Sequence, residues 1–373
     1  MGASLLGKVP VTSNGIVSSS LLVNLACLMR QPTGISTYVV NLFPYLQPLA
    51  PTLLMAAPSE GFTCHPIPAG MTAESGTQGH LRRLLWTQFQ LPALYRHLQA
   101  NLLFSPIPEA PLWAGCRSIV MVHDLIPLRF PRWRSPLTLY SRYIVPLVLQ
   151  EAQHIITNSV ATAEDVSRFY GIPAQKLTPI PLAYDADHFR WLDLPTSNYF
   201  LYVGRLDPYK NVQQAIAAFA ALSNHTDYEL WIAGPPDRRF RPALQAKAAQ
   251  LGVAAQVKFL NYLPYADLPT VINQAIALVF PTLWEGFGLP VLEAMACGTP
   301  VITSNLASLP EVTGEAAILV NPTDTGAIAD AMQALASDSA LREQLRQAGL
   351  KQAQQFSWGK TGQATVDVLQ RFL

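Results

Sequence analysis

From Tyr199 onward, short apolar runs alternate with longer amphipathic stretches. This alternation is typical of βαβ units, in which helices bury both faces of a parallel sheet. The residues before Tyr199 follow the same rhythm less cleanly, so the pattern predicts two α/β halves. The apolar runs predict strands at 21–29, 52–56, 101–105, 118–122, 154–158, 199–204, 228–234, 257–261, 275–281 and 300–304. In the first half, helices are predicted at 35–46, 81–98, 137–151 and 162–170.

The best candidate for a linker is the stretch 181–198, where periodicity lapses and Pro and Asp accumulate. A chain of 373 residues also favours two domains over a single core. We therefore expect an N-terminal domain at 1–185 and a C-terminal domain at 186–355. Ligands of open α/β sheets bind beyond the carboxyl ends of the strands, and we expect a cleft between the two domains there.

Composition narrows the class of protein. The chain is 50% hydrophobic and 13% charged, with a mean hydropathy of +0.20, as expected for a globular protein. A net charge of +1 excludes a global attraction to nucleic acid or to anionic lipid, so any basic site must be local and no nucleic-acid partner is expected. The four cysteines are scattered, which predicts a reducing compartment and no zinc site. The apolar run 21–29 contains Asn24 and lacks a basic flank, so we expect neither signal peptide nor membrane span, and a cytoplasmic location.

The segment 280–298 carries the clearest candidate chemistry. A strand end leads through a glycine-bearing loop into a helix, with Pro290 expected in its first turn and Gly298 at its C-terminal end. The backbone N–H groups and positive dipole at such a helix start favour an anion. Glu285 and Glu293 supply carboxylates, which accept hydrogen bonds from the hydroxyl pairs of a ribose or a hexose. The alternative is that they are a capping acid and a solvated helix acid.

The segment 203–211 also joins a strand end to a helix. Arg205 and Lys210 lie in this loop, and Asn211 is a plausible N-cap for the helix that follows. A guanidinium and an ammonium next to helix N-termini suit a diphosphate. The alternative is ordinary solvated loop charge.

Two features of the first half follow apolar runs. His123 and Asp124 come directly after one strand, and a neutral imidazole there can exchange a hydrogen bond with a sugar hydroxyl. A satisfied core histidine is the alternative. The small-residue turn 32–38 enters a helix after the first strand, and Gly34 can let its backbone approach a phosphate.

Other candidates have less support. Asp185 and Asp187 could hold a metal, but the predicted linker places them away from the strand ends, which favours a structural role. The segments 80–86 and 129–134 mix cations with aromatic residues, which suits an anionic acceptor, a lipid headgroup or an ordinary surface. The absence of a Gly-x-Gly-x-x-Gly or Walker motif removes support for dinucleotide oxidoreductases and P-loop enzymes.

Together these segments resemble the retaining glycosyltransferases of family four, also called group 1 glycosyltransferases, and among them the bacterial polysaccharide mannosyl- and glucosyltransferases. The resemblance implies the GT-B fold, with two Rossmann-like α/β domains facing each other across a cleft. It also implies that residues 356–373 form a closing helix that packs back on the first domain. The matching segments occur in family order at 34–38, 84–86, 123–127, 155–159, 204–205, 210–211, 233–234 and 285–293.

The resemblance implies roles for individual residues. Arg205 and Lys210 would hold the donor diphosphate, Glu293 the ribose and Glu285 the transferred sugar, with His123 approaching that sugar from the first half. Further donor contacts would come from Gly34, Gly204, Gly234, Tyr262, Leu263, Phe287, Gly288 and Leu289. Neither a metal nor a cofactor is expected, since the nucleotide sugar is itself a substrate.

The implied reaction transfers a hexose from a donor of the GDP-mannose or UDP- or ADP-glucose type to a saccharide or lipid-linked acceptor. A lipid-linked acceptor implies peripheral contact with the inner face of the membrane. The alternatives are a sucrose-type synthase, a nucleotide-sugar epimerase or phosphorylase, and an idle nucleotide-sugar binding protein. The Asp-Thr-Gly-Gly turn of sucrose-type members is absent. Sequence leaves the base, the sugar, the acceptor and the oligomeric state open.

Overall fold

A computed structural model describes residues 20–29, 34–132, 135–261 and 263–373. It contains two compact units. The first comprises the residues up to Pro181 together with Trp358–Leu373, and the second comprises Leu182–Ser357. The expected boundary after residue 185 falls just inside the second unit.

The first unit is built on a sheet whose described strands are all parallel, in the order β3-β2-β1-β4-β5-β6-β7. Its strands are β1 (Leu21–Asn24), β2 (Thr52–Met55), β3 (Thr63–Pro66), β4 (Leu102–Ser105), β5 (Ser118–Val122), β6 (His154–Thr157) and β7 (Leu177–Pro179). Its helices begin with α1 (Gly34–Leu46), α2 (Gly76–Phe89), α3 (Leu91–His97), α4 (Ile126–Arg129), α5 (Pro136–Tyr143), α6 (Val145–Glu151) and α7 (Val160–Tyr170).

The second unit repeats this architecture, with parallel described strands in the order β10-β9-β8-β11-β12-β13. Its strands are β8 (Tyr199–Val203), β9 (Glu229–Ala233), β10 (Val257–Asn261), β11 (Ala277–Phe280), β12 (Val301–Ser304) and β13 (Ile318–Val320). Its helices are α8 (Val212–Ala220), α9 (Arg241–Gln250), α10 (Leu268–Asn273), α11 (Leu289–Ala296), α12 (Leu309–Thr313), α13 (Thr325–Ser337) and α14 (Ser339–Ala353).

The central strands confirm the prediction of two parallel α/β sheets. Every residue of β1, β4, β5 and β11 is buried, because helices cover both faces of these strands. β3, β7 and β13 were not predicted, and each lies at an edge of its sheet. An edge strand needs no continuous apolar run, and proline is tolerated there, as at Pro66 and Pro179.

Two predicted helices are wrong in extent. The helix predicted at 81–98 is divided into α2 and α3, and the one predicted at 137–151 into α5 and α6. Pro92 and Pro146 cause the divisions, since each occupies the first turn of the later helix and cannot donate to a continuous helical ladder.

The last helix, α15 (Trp358–Gln370), belongs to the first unit and packs against α1. The two helices approach closely at Gly362, where a Cβ would lie 2.2 Å from Cδ2 of Tyr45. The Thr361 hydroxyl donates to the Pro181 carbonyl over 2.7 Å, and Arg117 donates to the Phe372 carbonyl over 2.8 Å. The C-terminal segment is therefore part of the first unit's core.

Candidate functional site

The candidate site lies at the carboxyl ends of β8 and β11. These strands are neighbours, and the order of the second sheet reverses between them. In open α/β sheets this switch point is where ligands bind. The loop after β8 carries Arg205 and Lys210, and the loop after β11 carries Glu285, so the topology brings these three residues to one place.

Two glycines allow the strand ends to pack closely. The Gly204 N–H donates to the Ala233 carbonyl over 2.9 Å, and the Gly234 N–H donates to the Asn261 carbonyl over 3.1 Å. A Cβ on Gly234 would lie 2.0 Å from the Gly204 carbonyl oxygen. Any side chain here would therefore separate the ends of β8 and β9.

Lys210 and Glu285 form an ion pair between the two loops. Lys210 Nζ lies 2.6 Å from Glu285 Oε1, and their side chains are only 13% and 10% exposed. Backbone contacts hold the loops in this register, because the Tyr209 carbonyl accepts from the Leu283 N–H at 2.8 Å and from the Thr282 hydroxyl at 3.1 Å. The pair is thus held by both loops.

Asn211 has a different role from the one expected. It occupies the position before α8, but it adopts a left-handed conformation (φ 60°) and its side chain does not cap the helix. Its amide nitrogen donates instead to the carbonyls of Pro281 and Pro322, at 2.9 and 2.7 Å. The capping prediction is wrong, because the side chain links the loop after β8 to the loops after β11 and β13.

Arg205 faces outward in this loop, with 63% of its side chain exposed. Its guanidinium lies 2.9 Å from a carboxylate oxygen of the buried Asp207. Arg239, from the loop after β9, lies 4.0 Å from the other oxygen of the same carboxylate. Asp207 thus places two cations at the strand ends. The sequence indicated no role for Asp207 or Arg239, since a single loop charge carries no periodic signal.

The start of α11 presents unused hydrogen-bond donors. Gly288 precedes the helix with φ 104°, and a Cβ there would lie 2.6 Å from Cδ2 of Leu309. The Ser308 hydroxyl lies 3.0 and 2.8 Å from the carbonyls of Glu285 and Phe287, which fixes the loop. No acceptor among the described residues takes a hydrogen bond from the N–H groups of Phe287, Gly288 or Leu289. Such N–H groups at a helix start suit an anion.

Glu293 lies on α11 near a carboxylate that sequence analysis placed elsewhere. Burial and, to a smaller extent, the negative charge of Asp185 raise the pKa of Glu293 to about 8. The Tyr265 hydroxyl lies 3.4 Å from Asp185, and the Tyr265 ring stacks on His188 at 3.8 Å between centroids. The expectation that Asp185 is remote from the site is wrong. The second carboxylate oxygen of Asp185, Oδ1, accepts hydrogen bonds from the backbone N–H groups of Asp187 and His188. Asp185 therefore also stabilises a turn.

The turn expected to lie near the nucleotide base follows β10. Asn261 adopts φ 54°, and its side-chain oxygen accepts a hydrogen bond from Arg241, whose guanidinium lies 5.1 Å from the Phe259 ring centroid. Leu263 is half-buried. Tyr262, the other expected contact, lies outside the described residues.

In the first unit, His123 directly follows β5, as expected. Its Nε2 lies 2.9 Å from the Pro106 carbonyl. Because a carbonyl only accepts, Nε2 carries the proton and Nδ1 is an acceptor. Burial lowers the pKa of His123 to about 4, which the Pro106 carbonyl opposes, so the imidazole is neutral at pH 7. Asp124 accepts from the Ile126 N–H at 3.1 Å and begins a turn.

Gly34 begins α1, and a Cβ at this position would have no other atom within 4 Å. Residues 30–33 of the same predicted turn lie outside the described part of the chain. The open space is compatible with the expected approach of a ligand to this backbone. It also means that packing within the unit does not require glycine here.

The described residues contain neither a cluster of metal-ligating side chains nor a helix that could span a membrane. Within that part of the chain, no three His, Cys, Asp or Glu side chains are grouped as they would be around a metal ion. Across the same residues, no helix has the length and apolar character needed to cross a bilayer.

Comparison with known proteins connects both units to one enzyme family. Residues 32–188 match the family model described as Glycosyltransferase Family 4, and residues 184–352 match the model described as Glycosyl transferases group 1. The chain is 32% identical over 267 residues to O-antigen chain mannosyltransferase B of Escherichia coli, covering 67% of this chain and 69% of that protein. It is 26% identical over 317 residues to O-antigen chain mannosyltransferase RfbU of Salmonella typhimurium, covering 82% and 87%.

A solved structure shows the same fold. Sucrose-phosphate synthase from Thermosynechococcus elongatus superposes with a TM-score of 0.74 over 94% of this chain and 98% of that one, at 20% identity. The two parallel α/β sheets and this structural similarity thus define the GT-B fold. The chain belongs to the group 1, or family four, glycosyltransferases.

Proposed function

We propose that this glycosyltransferase moves a hexose from a nucleotide diphosphate sugar to a hydroxyl of a saccharide or lipid-linked acceptor. We further propose that it retains the anomeric configuration and needs no metal ion. The observation that carries the proposal is the ion pair of Lys210 and Glu285 together with the three unused N–H groups of residues 287–289, where the loop after β11 enters α11. Cations and N–H groups suit a diphosphate, and a carboxylate suits sugar hydroxyls.

The diphosphate would be held by Lys210, Arg205 and the N–H groups of residues 287–289. Breaking the bond between the anomeric carbon and the phosphate oxygen places negative charge on the leaving diphosphate. Donors and cations that are already in position stabilise this charge as it develops. The same groups can neutralise the diphosphate, and this supports a reaction without a divalent cation.

The sugars would be held by the acidic residues and by the first unit. Glu285 would accept hydrogen bonds from hydroxyls of the transferred hexose, and Glu293 from the ribose. His123 is proposed to contact the transferred sugar, a role that follows from the family resemblance. With Nε2 already donating to Pro106, Nδ1 would accept a hydrogen bond from a hydroxyl.

Retention is proposed to result from attack on the face that the diphosphate leaves. The acceptor oxygen forms a bond to the anomeric carbon as the carbon–phosphate oxygen bond breaks, and the acceptor proton passes to the departing phosphate oxygen. The leaving group then acts as the base, so the site needs no separate one.

Mannose is our proposal for the transferred hexose. Two relatives are named O-antigen chain mannosyltransferases, which also supports a growing saccharide chain as the acceptor. Glucose from a UDP or ADP donor is the alternative. We place the reaction in the cytoplasm, at the inner face of the membrane for a lipid-linked acceptor.

The first test is thermal stabilisation of the purified protein by UDP, GDP, ADP and their sugar conjugates, with and without a chelator. A ligand at 100 times its dissociation constant stabilises by about 2.7 kcal/mol. We expect a selective shift that the chelator does not change. No shift with any nucleotide would contradict the donor site, and a shift abolished by the chelator would contradict metal independence.

A transfer assay distinguishes the alternatives. With a panel of saccharide and lipid-linked acceptors, we expect a product whose anomeric configuration by NMR matches the donor. Transfer to fructose or fructose phosphate would indicate a sucrose-type synthase. Nucleotide and sugar released without any acceptor would indicate an epimerase. Binding without turnover on the whole panel would indicate an idle binding protein.

A further inference from the structure

A cavity of about 510 Å³ opens at the amino ends of β8 and β9, whose first residues, Tyr199 and Glu229, line it. The ion pair of Lys210 and Glu285 lies beyond the opposite, carboxyl ends of strands in the same sheet. β8 has five residues, and at about 3.3 Å per residue it separates the cavity from that site by about 17 Å. Sites for small molecules have volumes of about 300–1,000 Å³. The cavity is therefore large enough for a ligand and does not belong to the candidate donor site.

Two stacked aromatic rings line the cavity. The rings of Tyr199 and Trp231 lie 3.8 Å apart between centroids, with 4° between their planes. The Tyr199 hydroxyl donates to the Val271 carbonyl over 2.6 Å, and Trp231 Nε1 donates to Glu229 over 2.6 Å. Tyr199 is buried and Trp231 is half-buried, so Trp231 is the ring that a ligand can contact. Because both rings are already held in place, binding has little side-chain entropy to overcome here.

Four further polar side chains line the cavity and hydrogen-bond to none of the described residues. They are the carboxylate of Asp227 and the amides of Asn198, Gln256 and Gln274. The side-chain oxygen of Gln256 is also buried. A buried oxygen without a partner raises the free energy of the folded protein, and rotation of the amide towards a ligand hydroxyl removes this penalty. These four groups are therefore available to a ligand.

The charges at the cavity disfavour a ligand that carries phosphate. Among the described residues that line it, Asp227 and Glu229 are acidic and none is basic. Lys258 of β10 lies 3.6 Å from Glu229 but also donates to the Ala255 carbonyl over 2.7 Å, so it neutralises Glu229 only in part. A diphosphate would be repelled by these acids. A neutral saccharide fits, because carboxylates and amides bind hydroxyls and the negative face of an indole attracts the C–H side of a sugar ring.

We propose that this cavity binds a neutral saccharide, as a site for a part of the acceptor chain that is remote from the reacting hydroxyl. A sugar ring would stack on Trp231, while its hydroxyls would donate to Asp227 and exchange hydrogen bonds with the three amides. A chain that is held both here and at its reacting end is bound at two places, which raises its overall affinity. The cavity would thus favour long acceptors over short ones. The inference rests on the saccharide acceptor of the proposed function.

Calorimetric titration of the full-length protein with α-mannotetraose, and with maltotetraose for the glucose alternative, tests the binding. We expect α-mannotetraose to bind in the absence of any nucleotide. Trp231→Leu should weaken this binding by about tenfold through the lost stacking, and Asp227→Ala by about fivefold through the lost hydrogen bond. Trp191→Leu and Asp330→Ala are the matched controls, since both residues are exposed in the same unit and neither lines the cavity. Both controls should bind as the wild type does.

Acceptor kinetics separate a binding role from a structural one. In Trp231→Leu and Asp227→Ala, the KM for a tetrasaccharide acceptor should rise, while the KM for a monosaccharide acceptor, the KM for the donor and kcat stay at their wild-type values. Equal increases in KM for both acceptors would overturn the proposal, as would a tetrasaccharide affinity that no cavity variant changes. Binding of spermine instead of either tetrasaccharide, lost in Asp227→Ala, would also overturn it, because the ligand would then be a cation.

Nucleotide-induced thermal shifts of the same variants distinguish this proposal from the donor site. The shift should equal that of the wild type in every variant, which also shows that each one is folded. If Trp231→Leu does not fold, Gln256→Leu takes its place and should likewise weaken tetrasaccharide binding, because it removes an amide at similar volume. Tetrasaccharide binding without a nucleotide shift would contradict the donor site alone. A nucleotide shift without binding of either tetrasaccharide would contradict the saccharide cavity alone.

Discussion

Lys210 Nζ contacts Glu285 Oε1 at 2.6 Å, and the loops after β8 and β11 hold both side chains largely out of water. Removing one partner leaves the other charge buried and uncompensated. We expect Lys210→Ala to lower turnover by about 10²–10³ through the lost diphosphate contact. It should also lower the free energy of unfolding by about 3 kcal/mol. Steady-state kinetics and urea unfolding measure the two effects separately.

The double variant Lys210→Met, Glu285→Gln is the control for this prediction. It removes both charges at similar volume, so the free energy of unfolding should return towards the wild-type value while turnover stays low. Recovery of turnover in the double variant would mean that Lys210 acts only by neutralising Glu285.

The pKa of Glu293 predicts a pH dependence of stability. The folded carboxyl has a pKa of about 8 against a reference value of 4.5, so the folded state binds this proton more tightly than the unfolded state. Its contribution to stability is complete below pH 4.5 and is lost as the pH rises through about 8. Glu293→Gln should remove this decrease in stability with rising pH. The free energy of unfolding in urea, measured between pH 5 and 9, checks the prediction.

Substitutions of two acidic residues in the turn near Glu293 test the cause of this pKa shift. Asp185→Asn should lower the pKa of Glu293, because Asp185 contributes to the upward shift. Asp187→Asn, in the same turn but exposed, should leave the pH dependence unchanged. A wild-type slope in Glu293→Gln would show that another group titrates in this range.

His123 should remain neutral throughout the physiological range. Burial lowers its pKa to about 4, and the Pro106 carbonyl requires the proton on Nε2. Nitrogen-15 NMR of labelled histidine should therefore show the Nε2–H tautomer down to about pH 5. A resonance that titrates near pH 6.5, or an Nδ1–H tautomer, would contradict this assignment.

Substitution by alanine should have different effects on stability at Gly234 and at Gly34. Gly234→Ala places a Cβ 2.0 Å from the Gly204 carbonyl and should cost about 1–3 kcal/mol of stability. Gly34→Ala meets no atom within 4 Å, so its stability should stay within about 0.5 kcal/mol of wild type. If the diphosphate approaches Gly34, this stable variant should still lose turnover. Wild-type turnover in Gly34→Ala would contradict a role for Gly34 in donor binding.

The central strands could be predicted from sequence because each must be apolar on both faces. The central strand β5 has the predicted bounds. The edge strand β10 was also predicted with its observed bounds, whereas the edge strands β3, β7 and β13 carried no continuous apolar run. The loops after β8 and β11 could also be predicted, since glycines, charges and a helix start follow an apolar run in each.

Contacts between distant segments could not be predicted in the same way. The influence of Asp185 on Glu293 depends on how the start of the second unit folds beside α11, and the interval of more than one hundred residues hides it. The side chain of Asn211 likewise bonds two carbonyls that are far along the chain rather than its own helix. Local propensity describes neither interaction.

The place of α15 in the first unit has a consequence for biosynthesis. Residues 182–357 are continuous and can fold as they leave the ribosome, but the first unit lacks its partner for α1 until Trp358–Leu373 is made. The apolar side of α1 that α15 covers therefore stays uncovered while the entire second unit is synthesised. Premature termination before Trp358 would thus release a chain with a finished second unit and an unfinished first one, a substrate for chaperones and proteases.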